Sequence, residues 1–181
     1  MADIVSDYIQ QKLQQASRRI LLDVGCGTHK EPGWVGMDMY PGPGVDVVHN
    51  MLDTPWPFED NAVWHVRLFH VVEHLPMTCV CCYDKLDPLL AVFEECWRIL
   101  EPGGQVRIAS PHSTNSLRAW RDPTHRRAIN EETFLYANMQ QRRNLGVDHY
   151  PMQSNFNMTY GFVYDEHGNK LDVHATLIKE V

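Results

Sequence analysis

The chain has 181 residues, 44% hydrophobic and 22% charged, which is enough for one domain with a buried core and too little for two full ones. A formal net charge of -7 removes any global attraction to nucleic acid or anionic membrane while leaving room for a local basic surface. No stretch approaches the roughly 18 unbroken apolar residues of a membrane span, and MADIVSDYIQQKLQQ lacks the charged-then-apolar layout of a secretion signal, so a cytoplasmic protein is expected.

Residues 3–16 read as a helix with Ile4, Tyr8 and Leu13 near one stripe, and 1–16 is a candidate lid over a crevice. Four strands follow, at 20–24 (ILLDV), 34–38 (WVGMD), 45–49 (VDVVH) and 62–69 (AVWHVRLF), each bounded by Gly, Pro, Asn or Asp. Cys79, Cys81 and Cys82 crowd together within an odd total of five cysteines, which does not resemble a disulfide framework. Cys79 and Cys82 offer at best one pair of ligands, so no structural zinc and no other metal is expected.

Leu86, Leu89, Leu90, Phe93, Trp97 and Leu100 recur at helical spacing over 84–100, Pro-Gly-Gly at 102–104 ends that helix, and QVRIAS makes a fifth strand at 105–110. Asn130 ahead of Glu131 and Glu132 predicts a capped helix over 131 to about 143. Phe156, Met158, Tyr160 and Phe162 point one way, DEHGN at 165–169 turns the chain, and Leu171, Val173, Ala175 and Leu177 continue the period of two. These elements make one α/β domain over 1–181. Its doubly wound, Rossmann-like, mainly parallel sheet is finished by a C-terminal antiparallel hairpin, and ligands belong beyond the carboxyl ends of its strands.

The glycine turn after the first strand lies at that edge. Gly25 and Gly27 permit a tight bend and the close approach of a ligand. A nicotinamide site would need a third glycine where Lys30 stands, and an acid further on than Asp38. Asp23 before the turn and Asp38 at the end of the next strand instead suit a ligand with an ammonium group and a ribose. A carboxylate at Asp38 accepts from both ribose hydroxyls, and bonds to a charged group contribute roughly 1.5–3 kcal/mol.

With these residues the chain resembles the class I S-adenosylmethionine-dependent methyltransferases. The likeness runs through LLDVGCGTHKEPGWVGMD, then DVVHNMLDTPWPFEDNAVWHVRLFHVVEHL at 46–75, then FEECWRILEPGGQVRIASP at 93–111, in the family's order. It is similar to a subgroup in which a short Lys-x-Pro-Gly loop replaces most of the first crossover helix. The resemblance implies S-adenosylmethionine as cofactor, with Asp23, Gly25 and Gly27 along its methionine portion and Asp38 on the ribose. It places Met39 beside the adenine, Asn50, Met51 and Leu52 as the adenine wall, and His70 closing the methionine side. Asn50 stands where the family usually carries Asp, and its side-chain carbonyl still accepts from the adenine amine. Trp64 also replaces a family acid and reads as packing.

For a hydroxyl acceptor, His70, His74, His112 or His125 supplies a base; a carboxylate acceptor needs none. His70-Val71-Val72-Glu73-His74 also matches the HxxEH zinc-hydrolase pattern, which requires mid-helix placement and a further ligand. A segment that starts straight after a strand and meets Pro76 favours a strand-to-helix corner instead. The stretch 110–155 reads as a substrate-recognition insertion. Arg118, Arg121, His125 and Arg126 are its candidate acceptor-binding residues, and Arg127, Arg142 and Arg143 add to its basic character. Two readings of these arginines stand: an anionic or carbohydrate-like acceptor, nucleic acid included, or a solvated helical face paired to Glu131 and Glu132. The expected activity is methyl transfer to an oxygen or nitrogen of a small molecule; the alternative is a non-catalytic binding or assembly module of the same fold.

Overall fold

A computed structural model describes residues 19–77 and 86–180 of the chain. The candidate lid helix and Cys79, Cys81 and Cys82 lie outside the described residues. Seven strands form one sheet: β1 (Ile20–Val24), β2 (Val35–Asp38), β3 (Val47–Val48), β4 (Val63–Phe69), β5 (Leu100–Pro111), β6 (Phe156–Tyr164) and β7 (Lys170–Lys179), in the order β3-β2-β1-β4-β5-β7-β6. The first five are parallel, while β7 runs antiparallel to β5 and β6 antiparallel to β7. β1 is buried nearly throughout because it lies between β2 and β4, and its run of Ile, Leu and Val is what a central parallel strand needs. The chain reverses direction across the sheet between β1 and β4, which places a crevice above their carboxyl ends.

Loops without helices join β1 to β2, β2 to β3 and β3 to β4, and side chains fasten them. Lys30 Nζ lies 2.7 Å from Asp46 Oδ2, which also accepts from Gly36 N at 2.8 Å. Trp56, fully buried and unremarked by sequence reasoning, donates its backbone N–H to Glu95 Oε2 and its indole N–H to Met51 O. Trp64 packs as expected, with the Arg19 guanidinium 3.6 Å above its ring.

Helix α1 (Pro88–Ile99) is shorter than the expected 84–100 at both ends. Asp87 caps it by accepting from Leu89 N, Pro88 occupies the first turn, and Leu100 already begins β5 ahead of the Pro-Gly-Gly. The expected single helix over 131–143 is two elements, a 3-10 helix (Glu131–Ala137) and α3 (Met139–Asn144); the short α2 (Ser116–Trp120) precedes both. The break falls at Asn138, whose extended backbone and side-chain oxygen cap α3 at Gln141 N while its Nδ2 donates to Phe156 O. Asn130 does cap its helix, in a reciprocal box with Thr133.

The tail forms the expected hairpin, with Asp165 accepting from His167 N and Asn169 N around the turn. Its stripe on β7, Val173, Ala175 and Leu177, is buried, whereas on the outer strand β6 burial falls from Phe156, fully buried, to Tyr160, 52% exposed. Among the described residues no helix is long and apolar enough to cross a membrane.

For Arg118, Arg127 and Arg142 the reading as a solvated face paired to Glu131 and Glu132 is overturned, while Arg121, Arg126 and Arg143 are exposed. Arg118 forks onto Asp172, Arg127 binds Leu75 O, Pro76 O and Asp87, and Arg142 is buried against backbone carbonyls. Glu131 instead accepts from Lys170 Nζ at 2.8 Å and from His112 Nε2 at 2.7 Å. Those bonds, the Lys170 one foremost, hold its carboxyl down to about 2. A folded-state pKa below the unfolded one stabilises above the unfolded value and loses that stabilisation as pH falls through the folded value. Glu131→Gln is therefore expected to be less stable than the parent at pH 7 and to lose less on acidification between pH 4.5 and about 2, as read from urea midpoints at each pH. Parallel pH profiles for the two proteins would refute this linkage.

Candidate functional site

The glycine turn leaves the carboxyl end of β1, and Asp38 ends β2 beside it. Gly25 and Gly27 both sit at positive φ, +68° and +51°, where any other L-residue is strained. A Cβ on Gly25 would come within 2.7 Å of Val71 Cγ2, whereas one on Gly27 would meet nothing within 4 Å. The turn is thus packed against Val71 at Gly25 and open at Gly27.

Asp38 faces this open side. Its Oδ2 accepts from Gly27 N at 2.9 Å and its Oδ1 from Tyr40 N at 3.1 Å. An ionised carboxylate has about four acceptor sites, so two backbone bonds leave room for two more. Asp23, by contrast, is buried beneath the turn, where Oδ2 accepts from Arg67 Nη1 at 2.7 Å and from Glu31 N at 2.9 Å. It braces the bend and the short loop behind it. Burial, reinforced by Asp23 and Asp38, pushes the Cys26 thiol between the two glycines up to about 11, so it stays protonated near neutrality.

Met39 is half-exposed next to Asp38, and Met51 and Leu52 are partly buried against the core. Asn50 Oδ1 accepts from Leu52 N, a local bond that shapes this wall and leaves the oxygen a second lone pair.

A separate pocket of about 200 Å³ opens beside β4 at the same sheet edge, lined by His70, Glu73, His74, Pro111, Arg118, Arg121, Asp122 and His125. His70 stands at its mouth with φ +55°, a conformation costly for a residue with a Cβ. Its Nδ1 lies 3.3 Å from Glu73 Oε1, and that bond raises its pKa above the ordinary histidine value. The corner after β4 is one 3-10 turn (Val72–His74), so HxxEH lacks the helix that the hydrolase reading required.

Glu73 O accepts from Arg126 N and Arg127 N, which clamps the insertion to this turn and lays His125 edge-on to His74, ring centroids 4.7 Å apart. Glu73, His74 and His125 each present one ligand atom within 4.8 Å of the other two.

Of the residues singled out in the sequence, His70, His74, His125, Arg118 and Arg121 thus meet in one pocket. His112 and Arg126 do not line it. His112 is buried; Thr114 N donates to its Nδ1, so its Nε2 proton goes to Glu131. Arg126 is exposed and enters only through its backbone. Arg118 is held by Asp172, leaving Arg121 as the pocket's guanidinium without an ion pair among the described residues.

No family model and no curated protein matches the chain. Solved structures do. A SAM-dependent methyltransferase from Archaeoglobus fulgidus superposes with a TM-score of 0.64 at 18% identity, over 99% of this chain and 95% of that one. A SAM-dependent methyltransferase from Methanosarcina mazei gives 0.55 at 15% identity, over 93% and 97%. A phosphoethanolamine N-methyltransferase 2 of Haemonchus contortus, crystallised with S-adenosyl-L-methionine, gives 0.56 at 12% identity over 90% of this chain and 49% of that one. The chain has the fold of class I SAM-dependent methyltransferases.

Proposed function

We propose that the chain is an S-adenosylmethionine-dependent methyltransferase acting on an oxygen or nitrogen of a small anionic or carbohydrate-like acceptor. The observation that carries this reading is Asp38: a carboxylate with free acceptor sites, tied to Gly27 on the open side of a glycine turn at the sheet's switch point. Its remaining lone pairs suit the ribose hydroxyls. Gly25 and Gly27 admit the methionine portion, Asp23 acts on it from beneath the turn, and His70 closes that side. Met39, Met51 and Leu52 flank the adenine, and Asn50 accepts from its amine.

When bound, S-adenosylmethionine would supply an electrophilic methyl group on a sulfonium leaving group. The chain's own work is positioning, which for well-oriented reactants removes roughly 7–11 kcal/mol of barrier. The pocket beside β4 receives the acceptor, Arg121 offers a cation to it, and His70 takes the proton of a hydroxyl. The stretch 110–155 then serves as the recognition insertion, since α2 and the loop to His125 wall this pocket.

Calorimetry of the purified chain with S-adenosylmethionine and S-adenosylhomocysteine tests the reading, followed by a screen of acceptor pools with labelled donor. Saturable donor binding and label transfer are expected. Absence of donor binding sinks the proposal, and binding without transfer to any pool favours the non-catalytic module.

A further inference from the structure

We propose that Glu73, His74 and His125 form a site for a first-row divalent cation of the zinc type, with open coordination positions facing the pocket beside β4. Two imidazoles and one carboxylate, with positions to spare, are a donor set such ions favour. Three independent features point to it.

The first is Glu73. It is buried, its Oε1 meets His70, and its Oε2 is buried without a hydrogen-bond partner among the described residues. An unsatisfied carboxylate oxygen is costly, and a bound ion is one of the few ways a native protein balances it.

The second is how the two histidines are oriented. His125 Nδ1 lies 2.6 Å from Ala119 O, which only accepts, so a proton is on Nδ1, while Nε2 makes no hydrogen bond among the described residues and stands 4.0 Å from Asp122 Oδ2. Thr124 Oγ1 gives its single proton to Asp122 Oδ1 at 2.6 Å, so at 3.0 Å it accepts from His74 Nδ1 and leaves Nε2 bare. Both rings thus donate Nδ1–H to an oxygen acceptor, the outer-sphere arrangement that fixes the tautomer of metal-binding histidine.

The third is placement. All three residues line one pocket together with Arg121 and Asp122, and the clamp from Glu73 O to the backbone of Arg126 and Arg127 holds the distant histidine against the turn. With bonds near 2.1 Å, donors to a shared ion stand roughly 3–4.2 Å apart. The present separations of up to 4.8 Å close to that by small rotations of side chains at a pocket wall. The ion's remaining positions would take an oxygen of the acceptor. This last step rests on the methyl-transfer reading; the site itself does not.

Cobalt(II) is the probe, because the chain also carries Cys79, Cys81 and Cys82, and thiolate ligation would betray itself by intense near-ultraviolet charge-transfer bands. Titration of the full chain is expected to show one saturable equivalent with d–d bands and no thiolate bands. His74→Ala and His125→Ala should each lower the affinity at least about a hundredfold. Thr124→Val, which removes only the partner of His74 Nδ1, should lower it about ten- to a hundredfold. Circular dichroism checks folding, and calorimetry with S-adenosylmethionine, unchanged in these variants, separates the metal proposal from the donor proposal. No saturable cobalt binding by the parent chain, thiolate bands, or affinity indifferent to both histidine substitutions would overturn the site.

Discussion

Asp38→Ala is expected to weaken S-adenosylmethionine binding about ten- to a hundredfold, equivalent to roughly 1.4–2.8 kcal/mol. Asp38 has two tasks that the substitution removes together. On the proposed reading its carboxylate offers acceptor sites for the ribose, and it holds Gly27 N and Tyr40 N, which set the height of the turn and the course of the chain after β2. Each hydrogen bond from a ribose hydroxyl to an ionised carboxylate contributes at the upper end of the usual range. Asp38→Asn is the milder change, because it keeps one of the two backbone bonds. The amide keeps one oxygen for the turn but loses the charge and half the acceptor capacity, so an intermediate loss of about tenfold is expected. Calorimetry reads both variants against the parent. Unchanged affinity in the alanine variant would show that the donor lies elsewhere on the sheet.

Much of this crevice is legible in the sequence because its parts are local. A strand, a bend that needs positive φ, a second strand and an acid at its end follow one another between Ile20 and Asp38, and each leaves a signature in residue type. The hairpin is equally local, since the period of two and the Asp165 turn fall within one stretch. The helix expected over 131–143 went wrong for a physical reason. Periodicity does not separate a 3-10 turn followed by a short α-helix from one continuous helix, and the break at Asn138 depends on the carbonyl of Phe156, far along the chain.

The pocket beside β4 is the less legible part. His70, Glu73 and His74 attract attention by spacing alone, yet what they do is set by partners no spacing reveals. His125 arrives through backbone bonds to Glu73 O, and Arg118 leaves the list of free cations because β7 brings Asp172 beneath it. His112 resembled its neighbours in sequence and differs in burial. The lesson is about range. Chemistry carried by one turn shows in the string, whereas chemistry assembled from β4, the insertion and β7 shows only once the sheet has put them side by side. Trp56 makes the same point for packing, since the Glu95 carboxylate that receives its N–H comes from α1.

Arg142→Met is expected to destabilise the fold by about 2–4 kcal/mol, more than any change on the exposed face of the insertion. The Arg142 side chain, 2% exposed, reaches no carboxylate. Its Nη1 donates to Tyr136 O at 2.7 Å and its Nη2 to Ser154 O at 2.9 Å and Met152 O at 3.3 Å. It therefore joins the end of the 3-10 helix to the segment entering β6, and burial lowers its pKa from the ordinary arginine value. Two effects oppose each other in the variant. Methionine fills most of the space and relieves the cost of a desolvated charge, but it leaves three carbonyls in need of donors, each worth about 1–3 kcal/mol if none arrives. Water reaching one or two of them limits the net loss, so the carbonyl cost prevails without summing in full. Urea denaturation at neutral pH reads the difference as a lower midpoint with an unchanged slope. A midpoint equal to the parent's would mean that the guanidinium is tolerated in the interior rather than required, and that Glu94, which binds Gln153 N and Ser154 N from α1, anchors this segment by itself.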